Sequence, residues 1–179
     1  MTRQAQALAP QLAEEAGQLA PYDSEPDHGD MQVKARPIPR ISIQAFCESP
    51  DTAAAVQTAA EDRRLAKAHV SVHMGGASAA VAHYQESPTP NLVMIESSLA
   101  RNQMLGELDR LAECCDAGTK VIVIGASNDV LLYRELLKRG VSEYLVAPAS
   151  PLQLMESISN LYNDPESDPV GNVIAFVGS

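Results

Sequence analysis

Asn91-Leu-Val-Met-Ile-Glu-Ser97 is the stretch whose reading decides the fold. A short apolar run follows Pro88-Thr-Pro90 and ends at a carboxylate, Glu96. Helical patterns flank it on both sides, so it predicts a central parallel strand buried on both faces. In open α/β sheets ligands bind just beyond the carboxyl ends of the strands. Glu96 stands at that point, and the functional question is whether it performs any chemistry there.

Working outward, strand and helix patterns alternate. Ile41–Cys47 predicts a strand, Glu48-Ser-Pro-Asp51 a turn and cap, and Asp51–Ala66 an Ala-rich helix. His69–Met74 predicts a second strand closed by Gly75-Gly76, and Ala77–Glu86 a short helix. After the central strand, Leu99–Cys115 carries Met104, Leu105, Leu108, Leu111 and Ala112 on one side, with Gly118 as the stop. Val121-Ile-Val-Ile124 is β-branched throughout, as a buried parallel strand should be. Asp129–Arg139 predicts a helix, Glu143–Ala147 the fifth strand, and Pro151–Asn160 the last helix, with Leu154, Met155 and Ile158 at core spacing. Five strands alternating with five helices imply a doubly wound α/β sheet.

Bulk properties narrow the function. A net charge of −10 argues against nucleic acid or an anionic membrane as a partner. No apolar run approaches the ~20 residues of a transmembrane segment, and no secretory signal opens the chain. Three cysteines, Cys47, Cys114 and Cys115, lack framework spacing and suggest reduced thiols in the cytoplasm. Residues 1–40 read as a flexible acidic, Pro-rich tail in which Leu8, Leu12, Ala16 and Leu19 share one helical face. Lys34, Arg36 and Arg40 form a basic lead-in to residues 41–163, the folded domain.

The junctions resemble a receiver domain of two-component signalling, which implies a flavodoxin-like (CheY-like) sheet of five parallel strands in the order 2-1-3-4-5. Pro90–Glu96 resembles the receiver's third strand, which ends in a phosphorylated Asp. Val121–Ala126 resembles the fourth, which ends in Thr or Ser. Gly140-Val-Ser-Glu-Tyr-Leu-Val-Ala-Pro148 resembles the Gly-Ala-x-x-Tyr-x-x-Lys-Pro segment around the fifth.

The departures matter more than the match. A working receiver needs the Asp, a Mg²⁺-binding acidic pair, a hydroxyl and a Lys, which together neutralise and bind the phosphoryl oxygens. By the resemblance, the acceptor position here is Glu96, the hydroxyl position Gly125 and the Lys position Ala147. The acidic pair falls on Phe46 and Cys47 or on Cys47 and Glu48, so at most one carboxylate survives. Phosphotransfer is almost wholly electrostatic preorganisation, so this degenerate pocket is expected to be non-catalytic. Glu96 then either is hydrated or caps the turn at Ser97-Ser98, or it mimics a phosphorylated Asp. Tyr144 matches the receiver's aromatic switch, but opposite Gly125 it reads as a packed or interface tyrosine. The resemblance also implies a dimer face of Val130, Tyr133, Arg134, Leu137, Lys138, Tyr144 and Gln153, whose apolar and basic mixture suits a protein contact.

Residues 164–170 form a Pro- and acid-rich linker, and Gly171-Asn-Val-Ile-Ala-Phe-Val-Gly-Ser179 resembles the first strand of a P-loop ATPase. Gly178 would begin its Walker A loop, and the Lys is absent from this chain. A degenerate receiver followed by such a strand resembles the CpaE/TadZ family, MinD/ParA-like ATPases of Flp/Tad pilus assembly. That resemblance implies an interaction and localisation domain that forms a homodimer or docks on pilus-assembly or polar-localisation proteins. It also implies recruitment to the cell pole or an inner-membrane secretion complex. No cofactor is expected in this chain; ATP and Mg²⁺ belong to the missing ATPase domain. The alternative is a phosphorylatable receiver with Glu48 and Glu96 holding Mg²⁺. A flavin-binding flavodoxin is set aside for want of a hydroxyl-rich loop after the first strand. His69 and His73 share a strand face, but with His28 and His83 placed elsewhere no zinc site is visible. Cys114-Cys115 reads as one packed thiol and one facing the loop, and Gly75-Gly76 faintly suggests an anion-binding turn.

Overall fold

A computed structural model describes residues 38–163. The expected tail up to Pro37, the linker 164–170 and the strand 171–179 with Gly178 lie outside the described residues. Ile38, assigned to the tail by sequence, is fully buried, and its N–H donates to the Arg64 carbonyl.

Five strands form one parallel sheet: β1 (Ser42–Cys47), β2 (His69–Met74), β3 (Leu92–Ser97), β4 (Lys120–Gly125) and β5 (Glu143–Val146). Their spatial order is β2-β1-β3-β4-β5, as the resemblance implied. The helices are α1 (Pro50–Ala60), α2 (Gly76–Tyr84), α3 (Arg101–Cys114), α4 (Val130–Lys138) and α5 (Pro151–Asn163).

Side-chain alternation divides the core in two. Ile43, Ala45 and Cys47 of β1, Leu92 and Met94 of β3, and Ile122 and Ile124 of β4 face the layer containing α1 and α5. Phe46, Val93, Ile95 and Val123 face the layer of α2, α3 and α4, joined there by Tyr144. The same parity continues one step past Met94 and sends Glu96 toward α1, which determines its partners.

The first helix ends earlier than its Ala-rich sequence predicts. After Ala60 a separate 3₁₀ turn covers Arg63–Leu65. The Asp62 side chain accepts from the Arg64 N–H at 2.8 Å and from the Arg64 guanidinium, a local bond that competes with helix continuation. The start of α1 follows rule: Ser49 is the N-cap, extended in conformation, and Pro50 supplies the first helical residue.

Candidate functional site

At the carboxyl end of β3, Glu96 accepts four hydrogen bonds from the β1–α1 loop. One oxygen accepts the backbone N–H groups of Glu48 at 2.7 Å and Ser49 at 2.8 Å. The other accepts the hydroxyls of Ser49 and Thr52, each at 2.7 Å. The carboxylate therefore serves as a cap for the opening of α1, and not for the Ser97-Ser98 turn that the sequence suggested. Ser98 is capped from the opposite side: its N–H donates to Glu48 Oε2 at 2.8 Å. Glu48 and Glu96 thus exchange loops, each closing the turn that follows the other's strand. Thr52, buried on the first turn of α1, had no place in the sequence reading. Its spacing of three from the Ser49 cap was the available signal.

The charge of Glu96 is well supported. Partial burial pushes its pKa up, but the hydrogen bonds from Ser49, Thr52 and Glu48 outweigh that, and the value falls below the ordinary carboxylate range. Beside it the Cys47 thiol is buried and pushed up to about 11, by desolvation first and then by the Glu96 charge. A neutral thiol is no ligand for a hard divalent cation. Phe46, the other residue of the alternative acidic pair, turns away and stacks on His73 with ring centroids 4.9 Å apart. Glu48 is the one carboxylate left, and it is held by Ser98. The donor set does not fit the Mg²⁺ site of a working receiver.

Gly125 and Ala147 complete the pocket without a hydroxyl or an ammonium. The Ala147 N–H donates to the Gly125 carbonyl at 2.8 Å, and its methyl packs toward the α1–α5 core. Above Gly125 lies the ring of Tyr144. A β-carbon built on Gly125 would stand 2.5 Å from Tyr144 Oη and 2.8 Å from Cε2. Tyr144 is 7% exposed, and its hydroxyl donates to the Ser127 carbonyl at 2.7 Å. It therefore belongs to the core and not to the dimer face on which the sequence placed it.

Of that face, Val130, Tyr133, Arg134, Leu137 and Lys138 are exposed on α4. Gln153 is exposed, but its side-chain oxygen accepts from the backbone N–H and hydroxyl of Ser150 and so caps α5. Sequence reasoning missed three apolar members: Leu131, 65% exposed, Leu152, 56%, and Val146, 40%. Leu131 could have been found, because with Leu132 and Leu136 in the core it falls off the buried stripe of α4.

The remaining candidates resolve as packing. His73 and His83, separated in the sequence reading, meet beside Phe46 with ring centroids 5.4 Å apart. No group of three potential metal-ligating side chains occurs among the described residues. Cys114 and Cys115 both pack against the core, so neither is given over to the loop. Gly75-Gly76 has a packing role: Gly76 has φ +59, and a β-carbon there would come within 2.7 Å of Glu48 Cγ and Oε1.

No protein-family profile and no curated protein matches the sequence. Solved structures do. The chain is 52% identical to a pilus assembly protein CpaE from Caulobacter crescentus, with a TM-score of 0.69 over 71% of this chain and 97% of that one. It is 47% identical to a CpaE2 pilus assembly protein from Sinorhizobium meliloti, with a TM-score of 0.64 over 65% and 96%. A response regulator from Thermotoga maritima matches at 21% identity and a TM-score of 0.55, covering 71% and 99%, which shows the shared fold. With five parallel strands in receiver order and this likeness to two solved pilus assembly proteins, the chain belongs to the CpaE family and carries a receiver-like domain.

Proposed function

We propose that this receiver-like domain is a non-catalytic interaction module. It would position a pilus-assembly ATPase by self-association or by docking on pilus or secretion machinery. One observation carries the reading. Both oxygens of the carboxylate at the phosphoacceptor position are engaged by Ser49, Thr52 and Glu48. The side chains of Gly125 and Ala147 offer a phosphoryl group no hydroxyl or ammonium. A group transferred to either Glu96 oxygen would therefore displace the two hydrogen bonds that oxygen accepts and meet no stabilising charge there. The Caulobacter and Sinorhizobium proteins support the pilus setting. The ATPase rests on the likeness of Gly171–Ser179 to a P-loop strand.

The contact surface in this reading is the exposed part of α4, β5 and α5, with Val130, Leu131, Tyr133, Leu137, Val146 and Leu152 as its apolar side chains. Arg134 and Lys138 set a basic rim on an acidic protein. Large exposed apolar residues flanked by Arg are a usual composition for a protein contact. Sedimentation of the 179-residue chain beside Leu131→Asp tests this. Association in the parent and a monomer in the variant is the expected result. Association that is indifferent to α4 would remove the surface from the proposal.

A further inference from the structure

Gly125 has no backbone reason to be glycine. It is not among the glycines with positive φ, and it lies in regular strand pairing, opposite Ser97 on one side and Val146 on the other. Glycine weakens a strand and usually marks a close approach. The approach here is the Tyr144 phenol, which fills the space that a β-carbon would take. Any larger residue at 125 would force the ring out, because non-bonded heavy atoms prefer about 3.5 Å or more.

The phenol is also tied down. Its hydroxyl donates to the carbonyl of Ser127, in the exposed β4–α4 loop. Two residues later Asp129 caps α4, its side chain accepting the Leu131 N–H at 2.8 Å and pairing with Arg101 at 3.5 Å. Val130 and Leu131, the most exposed large apolar side chains among the described residues, follow at once. The chain from Gly125 to the apolar face is thus short and continuous: strand glycine, buried phenol, loop carbonyl, helix cap.

We propose that Gly125 is a locking residue: by admitting the Tyr144 ring it holds the β4–α4 loop through Ser127 and presents the first turn of α4 in one fixed arrangement, with no phosphoryl group or metal required. The consequence for association rests on the docking face proposed above; the lock itself does not. Tyr144 acts as a positioning residue, joined to the face only through the loop.

The test uses the 179-residue chain with Gly125→Ala and, separately, Tyr144→Phe. Tyrosine nitration by tetranitromethane, mapped by peptide, reads the ring. Amide hydrogen exchange reads residues 126–132. In the parent, Tyr144 should be nitrated far more slowly than Tyr133, which is 36% exposed. Gly125→Ala should bring Tyr144 to about the rate of Tyr133 and speed exchange in the loop and first turn of α4 by about tenfold, with β1 and β3 amides unchanged. Tyr144→Phe should speed the same loop amides, since the ring stays and only the Ser127 tether is lost. It also serves if Gly125→Ala does not fold. Nitration and loop exchange at parental values in Gly125→Ala, or loop exchange at the parental value in Tyr144→Phe, would overturn the lock. Sedimentation of the same samples separates the two proposals: a loosened loop with unchanged association supports the lock and removes the docking face.

Discussion

Glu96 is one methylene longer than the aspartate that ends the third strand of a receiver, and the extra reach has a visible use. It lets the carboxylate cross to the opening of α1 and take two backbone and two hydroxyl donors. Hydrogen bonds to a charged acceptor are each worth about 1.5–3 kcal/mol when a partner is removed. Glu96→Gln keeps the shape but loses the charge, and its NH₂ must face either two backbone donors or two hydroxyls that have to turn round to accept. It should destabilise the domain by roughly 2–3 kcal/mol, read from urea unfolding at neutral pH. The pH dependence has a definite sign. The folded pKa of Glu96 lies below its unfolded value. Its contribution is therefore complete above the ordinary carboxylate range and is lost as pH falls through the depressed folded value. The acid limb of the stability profile should be shallower in Glu96→Gln than in the parent; identical limbs would show that Glu96 is not the group responsible. His73 makes the opposite case. Its Nε2 is buried with no hydrogen-bond partner, and burying an unpaired polar atom is costly. His73→Phe keeps a ring against Phe46 and removes that atom. It should be neutral or stabilising by up to about 1 kcal/mol in thermal unfolding.

Among the elements, α4 carries the docking proposal and is also held by charge. Arg101 of α3 pairs with Glu135 and Asp129, and Arg139 pairs with Glu135 and with Asp109 of α3. Glu135 is the shared centre, and its pKa is lowered, first by the hydrogen bond from Arg101. These side chains are open to solvent, so the pairs add little to stability and are screened by salt. Glu135→Gln should therefore lower stability slightly at low ionic strength and have almost no effect in high salt. A large, salt-independent loss would mean that the network carries more than surface charge. Leu131→Asp on the same helix should leave folding stability within about 0.5 kcal/mol of the parent, because the side chain is exposed. Any effect on association then belongs to the contact and not to the fold.

For the molecule as a whole, the sheet was legible because β-branched runs such as Val121–Ile124 and the apolar β3 alternate with core-spaced helices. That pattern admits few topologies. Helix ends were less legible, since Asp62 stops α1 by a bond that periodicity does not register. The site was legible by subtraction: Gly125, Ala147 and Cys47 could be seen to lack the needed groups. What replaces those groups was not legible. Nothing in a linear reading brings Glu96 to Thr52, 44 residues away, or sets Glu48 against Ser98. For Tyr144 the sequence left packed and interface readings open, and the choice between them depends on an absent β-carbon in a neighbouring strand. Pockets emptied of chemistry are refilled by neighbours, and the identity of those neighbours is a property of the fold. The most direct measurement is the intact mass of the 179-residue chain after incubation with acetyl phosphate and Mg²⁺. The expected result is the unmodified mass, with the β1–α1 and β3–α3 amide resonances unmoved. A phosphoryl adduct mapped to Glu96, or Mg²⁺-dependent shifts at Glu48 and Ser49, would contradict the claim that internal hydrogen bonds have taken the place of the phosphate site.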